Sequence, residues 1–178
     1  MSGVIRLFRL DVAAWERVSG IGTMASAAAT ALGAFAFFAF DRFGFQAFIA
    51  PRATMRMLLV GLYGWLGLAV VALLIARRTR PTTPAFGEVL RIYGYAHLPL
   101  LLLAFTIQII AVVARALGPS FVFAVFVVAI WLPASLVAAT RYVFDVSLPQ
   151  AIGIIAAPYA LWVALVGSYL WRQVGHLL

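Results

Sequence analysis

Long apolar blocks recur along this chain, separated by short breaks that carry arginine, proline or both. A bilayer crossing needs about 20 apolar residues, and blocks near that length fall at about 22–40, 57–76, 95–114, 119–140 and 149–171. In lipid every backbone polar group must be satisfied within the segment, so such blocks read as helices. The chain is therefore expected to be an all-α integral membrane protein: one domain over residues 1–178, a bundle of about five transmembrane helices with short amphipathic interfacial helices. Of 178 residues 66% are hydrophobic and 10% charged, outside the range of soluble globular domains. What the blocks leave is an amino-terminal arm, 1–21, and short loops, with no room for a soluble enzyme domain.

Block edges carry the charge. The formal charge is +8, and every one of the 13 basic residues is arginine. They stand beside the apolar blocks rather than in one run, which suits phospholipid headgroups and not nucleic acid. A composition free of lysine and asparagine is what a GC-rich bacterial or archaeal genome gives. Arg6, Arg9, Arg17, Arg77, Arg78, Arg80, Arg91 and Arg141 fall on one side of the expected bundle, against Arg42, Arg52, Arg56, Arg115 and Arg172 on the other. The positive-inside rule then puts the amino terminus in the cytoplasm and the carboxyl terminus outside.

The arm mixes Arg6, Arg9, Asp11, Glu16 and Arg17 with Val4, Leu7, Phe8 and Trp15, the pattern of an interfacial helix. Its length and its acids favour that reading over a cleavable signal. Between the second and third blocks, Thr83 before Pro84 reads as a helix start, and an amphipathic helix from Pro84 to about Tyr93 is expected to lie along the membrane surface. Gly94 and Pro99 then let the chain turn into the third block. Arg115 to Pro119 is short enough to make blocks three and four an antiparallel hairpin. Pro133 and Pro158 fall inside blocks four and five as kinks. Ala25, Ala29 and Gly33 at spacing four, and Gly61, Gly64 and Gly67 at spacing three, are expected to be faces where helices approach closely.

Catalytic signatures are missing. With no cysteine there is no disulfide, thiolate metal site or cysteine nucleophile. His97 and His176 have no metal-binding spacing, and neither a GxSxG element, a phosphate loop nor a dinucleotide fingerprint is present. The five acids offer no paired carboxylates for acid–base work. The reading is of no enzyme, no cofactor and no metal. Arg141 and Asp145, four apart, are expected to share a helix face and pair as an interfacial anchor, as are Glu88 and Arg91. His97 near the start of block three and Gln108 near its middle read as interhelical hydrogen-bonding groups. The alternative is a small transporter or channel, as a monomer or an oligomer in the membrane, whose path is lined by His97, Gln108, Arg141 and Asp145.

Several of these features together resemble the Yip domain family, Rab-interacting multi-pass membrane proteins with bacterial and archaeal relatives. They are the Tyr93-Gly94-Tyr95 step followed by Pro99 and a leucine run, the hairpin at Gly118-Pro119, Trp131 in block four, and a fifth block ending the chain. The resemblance implies a five-span bundle with a cytoplasmic amino terminus and a non-enzymatic role. Eukaryotic members carry a longer cytosolic amino-terminal region than this arm, so Rab GTPase binding does not transfer. The function expected is a scaffold or accessory subunit that organises other membrane proteins, copies of itself or lipids. Tyr93, Gly94, Tyr95 and Pro99 form the junction that sets the entry angle of the third block.

Overall fold

A computed structural model describes residues 15–17, 20, 22–43, 51–79, 83–102 and 118–174. Its elements are all helical: α1 (Met24–Phe43), α2 (Pro51–Thr79), α3 (Phe86–Ala96), α4 (Gly118–Phe144) and α5 (Leu148–Val174). Among the described residues, Leu58–Arg78 within α2 is the one stretch long and apolar enough to cross a membrane. Shorter apolar stretches occupy Met24–Ala34, Ile130–Phe144 and Leu148–Ala164. The five expected crossings thus exceed what the described helices establish.

Helical periodicity sorts each element into a buried and an outward face. On α2, Trp65, Leu68, Ala69, Ala72, Leu73 and Ala76 are buried, while Met55, Leu59, Tyr63, Val70 and Leu74 run down the opposite side, each at least 40% exposed. On α4 the buried set is Leu132, Ser135, Leu136, Ala139 and Thr140; on α5 it is Ala151, Ile154, Ile155, Pro158 and Trp162. α2 packs on α1, α3 and α5, α4 packs on α3 and α5, and α1 packs on α3. Trp15, in the helical turn at 15–17, is 1% exposed and joins the core, while Glu16 and Arg17 beside it are exposed. The arm therefore reaches inward through one indole.

The small-residue face of α1 differs from the expected one. Ala27, Ala31 and Ala34 are the buried positions, whereas Ala25 and Ala29 face outward. The reason is what arrives: α3 presses Gly94 against Ala27, and that contact sets the rotation of α1. On α2 it is Gly64 that permits a close approach, because a methyl group there would stand 2.4 Å from Nε1 of Trp162 on α5.

The helix expected along the membrane surface is also corrected. It begins at Phe86, not Pro84, because Ala85 is still extended (φ −63°, ψ 144°) and caps α3 without a side-chain bond. Its apolar face, Val89, Ile92, Tyr93 and Ala96, is buried against α1, α2 and α4 rather than turned to lipid. An amphipathic stripe does not say whether its apolar side meets a bilayer or other helices.

Local bonds fix the helix ends. At the start of α1, Thr23 Oγ1 accepts from the Ser26 amide at 3.2 Å and Ser26 Oγ accepts from the Thr23 amide at 3.1 Å, a reciprocal cap. Between α4 and α5, Asp145 takes a left-handed conformation (φ 48°) and the Val146 amide donates to the Arg141 carbonyl at 3.3 Å. That is the bond of a Schellman end. Ser147 then caps α5, with Gln150 Oε1 accepting from both its amide and its hydroxyl at 3.1 Å.

Candidate functional site

Each of the three neighbouring elements α1, α2 and α4 is bonded to α3. On the α2 side, Nε1 of Trp65 donates to the Leu90 carbonyl at 2.7 Å. On the α4 side, the Tyr93 hydroxyl lies 2.7 Å from Thr140 Oγ1, which donates its own proton to the Leu136 carbonyl at 2.7 Å. The Tyr93 O–H is therefore the donor of the pair. Both residues are fully buried. Burial pushes the Tyr93 phenol above its ordinary range, an effect the Thr140 bond only partly offsets, so Tyr93 stays a neutral donor.

On the α1 side, Gly94 leaves no room for a side chain: an added methyl would sit 2.7 Å from both the Ala27 carbonyl oxygen and the Ala27 methyl. Tyr95 lays its ring against Gly22, and its hydroxyl meets Ser26 Oγ and the Thr23 carbonyl, the latter at 3.3 Å. Nη1 of Arg91 donates to the Gly22 carbonyl at 3.4 Å. The expected pairing of Arg91 with Glu88 gives way to this backbone contact, with Glu88 exposed in the first turn of α3.

The far end of α3 breaks where proline predicts. Pro99 has no N–H to offer the carbonyl of Tyr95. The His97 amide tightens onto the Gly94 carbonyl at 3.2 Å, and His97 Nδ1 lies 2.8 Å from the Tyr93 carbonyl. A carbonyl only accepts, so Nδ1 carries the proton. The side chain thus takes the Tyr93 carbonyl, which the His97 amide leaves without its helical donor by turning to Gly94. Helix resumes at Leu98, and Leu101 donates to the His97 carbonyl at 3.0 Å.

Tyr93, Gly94, Tyr95 and Pro99, the residues expected to set the junction, lie at one helix end with His97 among them: Tyr93, Gly94 and Tyr95 meet neighbouring elements, and Pro99 is buried. Of the residues of the alternative transport path, His97 lies within this junction. Arg141 and Asp145 are exposed at the end of α4, and Gln108 lies outside the described residues. No ion pair joins Arg141 to Asp145, because Asp145 has left the helix and the four-residue spacing no longer sets a shared face. Thr140, Ser26, Thr23 and Trp65 were not singled out by the sequence. Only Thr23 and Ser26 carried a signal, the cap spacing before an apolar run.

Buried apolar faces, outward apolar ridges, a bilayer-length helix and a polar junction that bonds helix to helix define an all-helical domain of membrane-protein character. The family model of the Yip1 domain matches residues 9–170. The chain belongs to that family, whose members are membrane-associated. No curated protein and no solved structure matches it.

Proposed function

We propose that this protein is a non-catalytic, multi-pass scaffold or accessory subunit of the cytoplasmic membrane of a bacterium or archaeon, in which five spans present outward faces to other membrane proteins, copies of itself or lipid. Its amino terminus lies in the cytoplasm and its carboxyl terminus outside. One observation carries the reading: the polar groups of the junction bond helix to helix, while large apolar side chains line the outward face of α2. Here Tyr93, Thr140, Trp65 and Tyr95 are bonded to neighbouring helices, which makes the site a fastening. Exposed Leu59, Val70 and Leu74 on a helix of bilayer length are what a lipid-facing or partner-facing surface requires.

Extraction from the native membrane in mild detergent, followed by identification of what co-purifies, tests this reading. A stoichiometric membrane-protein partner, or a stable homo-oligomer, is the expected result. Gly94→Leu, which wedges α3 away from α1, is expected to lose it. A monomer that co-purifies with nothing and conducts a solute in liposomes would overturn the proposal.

A further inference from the structure

Tyrosine in a membrane helix normally sits where its hydroxyl reaches the interface. Tyr63 does not. Its ring lies alongside Gly67, one turn toward the carboxyl end of α2, with Cζ 3.6 Å from where a Gly67 methyl would be. Gly67 adjoins Leu68, the midpoint of the Leu58–Arg78 stretch. The phenol is therefore held about 15 Å from either end of that stretch at 1.5 Å per residue, the centre of the hydrocarbon layer. Tyr63 is 53% exposed on the outward face, and its hydroxyl is bonded to no group among the described residues. Acyl chains at that depth offer no acceptor, and an unmet hydroxyl in an apolar medium is costly.

Beside the phenol lies a shallow groove lined by Tyr63, Gly67, Val71, Pro158 and Leu161. Ala157 and Ala164, about one turn either side of Leu161, are exposed and would let another backbone come near. We infer that this face is a dimerisation surface, on which a second copy of the chain docks so that the two Tyr63 hydroxyls hydrogen-bond at mid-depth. A two-fold axis along the membrane normal places the same residue of both copies at the same depth. A phenol is both donor and acceptor, so one copy satisfies the other, and exposed Leu161 beside the groove supplies a projection for a recess on the same face. The inference rests on the reading that α2 crosses the bilayer.

The chain has no cysteine, so one introduced thiol reports cleanly. Leu59→Cys, a turn above Tyr63 on the same exposed face, is treated in membranes with a short bismaleimide; Ile130→Cys, exposed on α4, is the control. A cross-linked species of twice the monomer mass is expected from Leu59→Cys and not from Ile130→Cys. Adding Tyr63→Phe, which removes only the hydroxyl, is expected to weaken dimerisation about threefold, the size of one interhelical hydrogen bond. Equal cross-linking at both positions or a product of another mass would overturn the dimer, and no effect of Tyr63→Phe would overturn the pairing of hydroxyls that defines it. Alkaline extraction of the unmodified protein separates the two levels: release from the membrane refutes the spanning reading, whereas retention without cross-linking refutes the dimer alone.

Discussion

Tyr93 and Thr140 are not interchangeable halves of one hydrogen bond. Thr140 Oγ1 donates to the Leu136 carbonyl and accepts from Tyr93, so losing Tyr93 leaves Thr140 with its own partner intact. Losing Thr140 leaves a buried phenol with nothing to donate to. An orphaned buried donor costs about 1–3 kcal/mol, more than the net worth of a typical bond. Thr140→Val is therefore expected to lower thermal stability in detergent more than Tyr93→Phe, and the double variant to be closer to Tyr93→Phe than to the sum of the two. Equal and additive losses in a thermal melt would show that the two groups act separately. Gly94 answers to sterics instead. Its neighbour is the Ala27 backbone, which cannot rotate away, so Gly94→Ala is expected to destabilise by about 1–3 kcal/mol.

Helix ends and helix faces were each legible only in part, and the reason differs from one to the next. The long apolar run and arginine flanks of α2 point to the structure's own helix, since arginine marks a block edge by simple charge cost. Ser147 with Gln150, and Thr23 with Ser26, are readable caps hidden by apolar surroundings that draw attention to span length. Pro84 misled because proline fits the first turn of a helix yet also follows extended residues, and only neighbouring packing decides. The depth of α3 was illegible for a similar reason: Val89, Ile92, Tyr93 and Ala96 make the same stripe against lipid as against α1, α2 and α4. At Asp145 the backbone itself makes a prediction. A left-handed residue favours glycine and resists β-branching, so Asp145→Gly is expected to hold or raise the melting temperature, and Asp145→Val to lower it. Asp145→Val melting above Asp145→Gly would contradict the helix-end geometry.

Across the whole molecule, the arginine distribution and the family agree on a membrane protein, while orientation is an expectation drawn from the arginine count and the family resemblance. Reporters fused to each terminus are expected to show a cytoplasmic amino terminus and an external carboxyl terminus. Moving weight across, by Arg77→Gln with Arg78→Gln and arginines added beyond Trp171, is expected to scramble or invert that pattern. An unchanged orientation would mean that something other than arginine count sets it.

The connection between α4 and α5 closes without help from the rest of the chain. Val146 bonds back to Arg141, Gln150 bonds back to Ser147, and Asp145 alone absorbs the reversal. Each bond spans only a few residues, so this hairpin needs no long-range docking in order to form. It is equipped to form as a ready-made pair of helices before either one docks on the helices made earlier.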